Sequence, residues 1–141
     1  MAARTRDQVL TLRLSAADKA ALTLAAQMRA EKPGSLAVRL IAEGVRRARF
    51  PGLDFRPAGA RSVAYLAGSR WPAWMILDLV EELKGDVEAA ALQMKKPPAL
   101  IRLVLRYAEA YPEEMRLERD LVAQRSNFRG LSRVRPSLET A

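Results

Sequence analysis

Val9 to Leu14, VLTLRL, alternates in character, with Leu10, Leu12 and Leu14 on one side and Val9, Thr11 and Arg13 on the other. Alternation of period two predicts one short β-strand. At Ser15 the period changes. Ser15 starts SAAD, an N-cap with an acid three residues on, and the Ala/Leu-rich run that follows has no breaker, so a helix is expected over residues 16–31. Pro33-Gly34 should stop that helix, and Ser35 should cap a second, SLAVRLIAEGVRRA, in which Leu36, Leu40, Ile41 and Val45 recur at helical spacing. The front of the chain therefore reads strand, helix, helix. A lone strand leaves its backbone groups unpaired, and pairing with the same strand of a second chain would satisfy them.

Further along, Pro51-Gly52 and Pro57-Ala58-Gly59 punctuate two short extended runs, LDFR and RSVAYL, which predict a β-hairpin. Four amphipathic segments follow. AWMILDLVEELK ends at Gly85, DVEAAALQMK carries Asp86 at its cap, PPALIRLVLRYAEAY opens on prolines, and PEEMRLERDLVAQRS begins after Tyr111 at Pro112. From Asn127 the periodicity fades, which predicts a flexible tail. The expected organisation is mainly α. Residues 1–49 form one domain, 50–126 a hairpin followed by a helix-turn-helix-like domain, and 127–141 a tail able to bind a partner.

Charge sharpens this picture. The chain carries a formal +8, of which +6 falls in residues 1–50, zero in 51–116 and +2 in 117–141. A basic front end suits a polyanion, because Lys and Arg release counterions when they meet phosphates. The chemistry of enzymes is poorly represented. There is no Cys and no His, which removes thiolate sites and the commonest general base, and no nucleophile-base pair or Gly-rich phosphate loop is present. Asp78, Glu81, Glu82, Asp86 and Glu88 scatter around helical surfaces and read as solvated faces, so no metal, cofactor or enzymatic activity is expected. No apolar run spans a bilayer, and MAARTRDQ lacks a signal-peptide core, so the expected location is the cytoplasm, without a membrane partner.

Residues 8–48, with their strand, capped helix, Gly-containing turn and second helix, resemble the ribbon-helix-helix family of bacterial repressors and antitoxins. The resemblance implies a homodimer whose paired strands form an intermolecular two-stranded ribbon that enters the major groove of double-stranded operator DNA. It implies base reading by Val9, Thr11 and Arg13, and phosphate contact by the backbone amides of Gly34, Ser35 and Leu36, with Arg4 and Arg6 ahead of the strand. Val9 stands where family members often carry a polar residue.

The second half resembles the antitoxin-associated helix-turn-helix family known as domain of unknown function 433. The motifs are Gly68-Ser69-Arg70, the apolar helix Trp74 to Leu83, Glu88-Ala89-Ala90, and the pair Tyr107-Ala108; Ser69 replaces the usual Thr. This resemblance implies an antitoxin paired with a PIN-like nuclease toxin, with Phe128, Leu131, Val134 and Leu138 as candidate toxin-binding residues. If the second domain also met DNA or a partner, Lys95, Lys96, Arg102 and Arg106 on and before the helix from Pro97 would carry the contact. Its neutral surroundings favour a dimerisation or docking unit that builds higher oligomers, and Trp71 and Trp74 read as core or interface anchors. The competing reading is a DNA-binding regulator without a toxin, such as a plasmid-partition or assembly protein.

Overall fold

The computed structural model describes residues 7–132, with side chains to residue 129. Six helices and one antiparallel hairpin make up its regular structure. They are α1 (Ala16–Met28), α2 (Pro33–Arg49), β1 (Leu53–Ala58), β2 (Arg61–Leu66), α3 (Ala73–Glu82), α4 (Val87–Met94), α5 (Pro98–Ala110) and α6 (Pro112–Ser132). The chain divides into two compact units, up to Ala42 and from Glu43 onward, with the boundary inside α2.

In the first unit α1 starts where expected. The Ser15 hydroxyl accepts from the Asp18 amide at 3.1 Å, which satisfies one of the free donors of the first turn. The helix ends at Met28, three residues before the expected 31. Ala30 takes a left-handed backbone (φ 52°), and the Glu31 amide closes the turn onto the Ala26 carbonyl at 2.9 Å. A second correction concerns α2, which begins at Pro33 and not after a Ser35 cap. Proline fits the first helical position because its fixed φ is already helical and no amide is wasted there. Residues 7–14 carry no strand; among the described residues β structure is confined to the central hairpin. Among the described residues nothing pairs with the backbone of that segment, so no ladder forms there.

The second unit matches expectation more closely. In the hairpin Leu53 pairs with Leu66 and Phe55 with Ala64, and these four residues put one sheet face into the core. Gly52 leads into β1 with φ 114°, and a Cβ there would meet Leu103 Cδ2 at 2.9 Å, so the α2–β1 turn needs glycine on two counts. After β2, Ser69 organises the loop. Its hydroxyl donates to the Leu66 carbonyl at 2.7 Å and accepts from the Trp71 amide at 3.1 Å.

α4 is capped by Asp86, whose carboxylate accepts from the Ala89 amide at 3.0 Å, and it stops at Lys95 in a left-handed conformation (φ 57°). The core gathers Ile76 and Val80 of α3, Ala90 and Met94 of α4, and Ile101, Val104 and Tyr107 of α5 around the hairpin. α6 runs on to Ser132, which corrects the expected tail at 127: no proline interrupts the run after Pro112, and the isolated Gly130 is tolerated. No helix among the described residues is long and apolar enough to cross a membrane.

Candidate nucleic-acid interface and partner surfaces

Val9, Thr11 and Arg13 all lie exposed in the segment before α1, and Val9 is 95% accessible. The alternate residues, expected to face a core, are exposed too. Leu10 is 73%, Leu12 54% and Leu14 52% accessible. The helices behind them carry further uncovered apolar side chains, Leu24 and Met28 on α1 and Val38, Leu40 and Ile41 on α2. Among the described residues of this unit only Ala26 and Leu36 are buried hydrophobics. Leu40, Ile41 and Val45, part of the periodic set that marks α2 in the sequence, are therefore open to solvent, whereas Leu36 is fully buried.

At the start of α2 the expected phosphate cradle is only partly present. The Leu36 amide donates to the Lys32 carbonyl at 3.1 Å and is occupied. Gly34 and Ser35 occupy the first turn, where amides lack an intrahelical acceptor, and both residues are exposed. Such amides, at the positive end of the helix dipole, suit an anion. Arg4 and Arg6 lie outside the described residues.

In the second unit Lys95 and Lys96 border a shallow cavity of about 480 Å³ with Leu92, Pro97 and Pro98, between the end of α4 and the start of α5. Arg102 donates to Glu88 at 2.7 Å, an exposed pair that a phosphate could displace at small cost, and Arg106 is exposed on α5. Asp78 and Glu81 converge on Arg119 of α6, at 2.7 and 3.0 Å, and Asp86 serves as the α4 cap. Among the described residues no cluster of three potential metal ligands forms. Trp71 and Trp74 pack half-buried against the core. Phe128 is exposed on α6, while the Leu131 side chain, Val134 and Leu138 lie outside what is described.

One group escapes sequence reading altogether. Tyr107 is fully buried on α5, and its hydroxyl donates to Glu114 of α6, whose other oxygen accepts from Arg46 Nε at 3.0 Å. Burial first, then the hydrogen bond and charge of Glu114, hold the Tyr107 phenol well above its usual range. Burial opposes charge on Arg46, but the hydrogen bond and charge of Glu114 outweigh it and keep the guanidinium protonated. Arg46 also lies 4.2 Å from the Tyr111 ring centroid, and Tyr111 accepts from Arg49 at 2.9 Å. The signals were an acid in the first turn of α6 and an arginine near the end of α2, neither distinctive alone. The chain matches no protein-family model, no curated protein and no solved structure.

Proposed function

We propose that the chain is a homodimeric, DNA-binding repressor of the antitoxin type, in which the segment Val9–Leu14 pairs with its copy and presents Val9, Thr11 and Arg13 to the major groove. One observation carries the reading: the first unit leaves Leu10, Leu12 and Leu14, together with apolar residues of α1 and α2, exposed to solvent. Apolar surface uncovered on this scale is costly in water and marks an interaction site. The occupant that fits is a second copy. It brings an identical strand, whose backbone supplies the hydrogen bonds this one lacks, and an identical set of leucines to cover these.

In the paired state Leu10, Leu12 and Leu14 turn inward and the alternate residues turn to the DNA. Arg13 would fork onto a guanine edge, Thr11 would bond a base or touch a thymine methyl, and Val9 would make apolar contact. The open amides of Gly34 and Ser35 would receive a backbone phosphate. The positive charge concentrated in residues 1–50 supports a polyanionic partner. In the antitoxin reading the second unit holds a nuclease toxin, with exposed Phe128 on α6 as one docking residue.

The experiment is binding of the purified chain to a labelled fragment of the DNA upstream of its own coding sequence, against random DNA, at two salt concentrations. Tight, selective and salt-sensitive binding is expected. Equal affinity for both DNAs at each salt concentration would overturn the repressor reading.

A further inference from the structure

The second face of the hairpin, away from the core, carries Arg61, Val63 and Tyr65 of β2, none of which enters the DNA or toxin reading. These residues open onto a cavity of about 280 Å³, closed by Trp74 in the first turn of α3 and by Glu118, Leu121 and Arg125 along α6, with Arg70 at the preceding loop. Val63 and the flank of α6 give the cavity an apolar lining, and Tyr65 and Trp74 add two rings.

The charges are unbalanced. Arg61 is neutralised by Glu118, but among the described residues neither Arg70 nor Arg125 has an ion-pair or hydrogen-bond partner, and both are exposed. Two forked donors thus line one half-open cavity of mixed polar and apolar character with a net charge of +2. A phosphate monoester carries about −1.5 to −2 at neutral pH and accepts from arginine bidentately, which matches that excess. Arg56 already covers one face of the Tyr65 ring at 4.2 Å, so the Trp74 ring and the remaining edge of Tyr65 are what favour a planar aromatic body. At about 280 Å³ the volume falls just below the usual range of ligand sites, roughly 300 to 1,000 Å³, so dinucleotides and larger cofactors are too big.

We propose that this cavity binds a small phosphate monoester with a planar aromatic body, of the size of a nucleoside monophosphate, with Arg70 and Arg125 on the phosphate and Trp74 and Tyr65 beside the ring. The site is independent of the proposed DNA-binding segment.

The test is calorimetric titration of the full chain with adenosine 5′-monophosphate and uridine 5′-monophosphate, and separately with adenosine and with inorganic phosphate. At least one nucleotide should bind saturably. Adenosine and phosphate alone should each bind at least about tenfold more weakly, and an Arg70→Ala/Arg125→Ala double variant should lose about tenfold or more in affinity for the nucleotide. Both arginines are exposed and, among the described residues, unpartnered, so the variant should keep its circular dichroism spectrum. Four results would overturn the proposal: no saturable nucleotide binding at millimolar concentration, unchanged binding by the folded double variant, phosphate alone as tight as the nucleotide, or displacement of the nucleotide by duplex DNA, which would make the pocket part of a DNA surface.

Discussion

Arg46, near the end of α2, donates from Nε to Glu114 Oε1 at 3.0 Å, and the other carboxylate oxygen of Glu114 accepts from the buried Tyr107 hydroxyl. One side chain in the first turn of α6 therefore bonds both a part-buried guanidinium and a buried phenol. It also ties the end of α2 to α5 and α6. Glu114 is itself 37% accessible, so solvent moderates the strength of the arrangement.

Glu114→Ala should lower stability by about 1 to 2 kcal/mol, because it removes the acceptor of the buried Tyr107 hydroxyl and the carboxylate paired with Arg46. Tyr107→Phe should cost less, since Glu114 then keeps Arg46. Urea denaturation of the two variants gives the order, and a smaller loss for Glu114→Ala than for Tyr107→Phe would contradict this account.

Asp54 accepts from the Phe55 amide at 2.8 Å and from Arg47 at 3.2 Å, and these bonds hold its carboxyl below the ordinary carboxylate value. A group depressed in the folded state stabilises above its unfolded value, roughly pH 4, and loses that contribution as pH falls through the folded value. Wild type should thus exceed Asp54→Asn in stability at pH 7, and the gap should close as pH falls below about 4. Melting temperatures of both proteins across that range test it; a gap that widens toward acid would be the wrong sign.

Gly52→Ala should destabilise by about 1 to 3 kcal/mol, as the new Cβ must push Leu103 aside while the backbone stays at a φ that side chains disfavour. Gly34→Ala is the control. Gly34 has open space around it, and its change should cost under about 0.5 kcal/mol.

Leu12→Asp should leave α3 to α6 folded yet abolish dimerisation, because it places a charge among the leucines proposed to pair. Sedimentation velocity reads this directly. A wild-type chain that stays monomeric at tens of micromolar would remove the basis for the variant and for the ribbon.

Arg13→Ala should weaken binding to the upstream DNA by about 1 to 3 kcal/mol and leave random DNA nearly unaffected, because a base contact is lost and a phosphate contact is not. Equal loss on both DNAs would make Arg13 a backbone contact instead.

The elements of the second unit were legible because their signals are local. Asp86 caps α4, the prolines open α5 and α6, and the extended runs at 53–56 and 61–66 pair as a hairpin, the first strand running on to Ala58. The errors were local as well: α1 stops three residues early because Ala30 turns left-handed, and α6 continues past residue 127 with no proline to stop it, although Asn127, Gly130 and Ser132 are weak helix formers.

What the sequence determined by itself is the order of helices and hairpin and the basic front end. What only the tertiary structure decided is which distant residues meet: Arg46 with Glu114, 68 positions apart, Leu103 against Gly52, and Arg70 and Arg125 at one cavity. Capping and periodicity act within a few residues and are written in neighbouring side chains. Convergence of distant helices depends on how the core packs, and no short stretch of sequence encodes that.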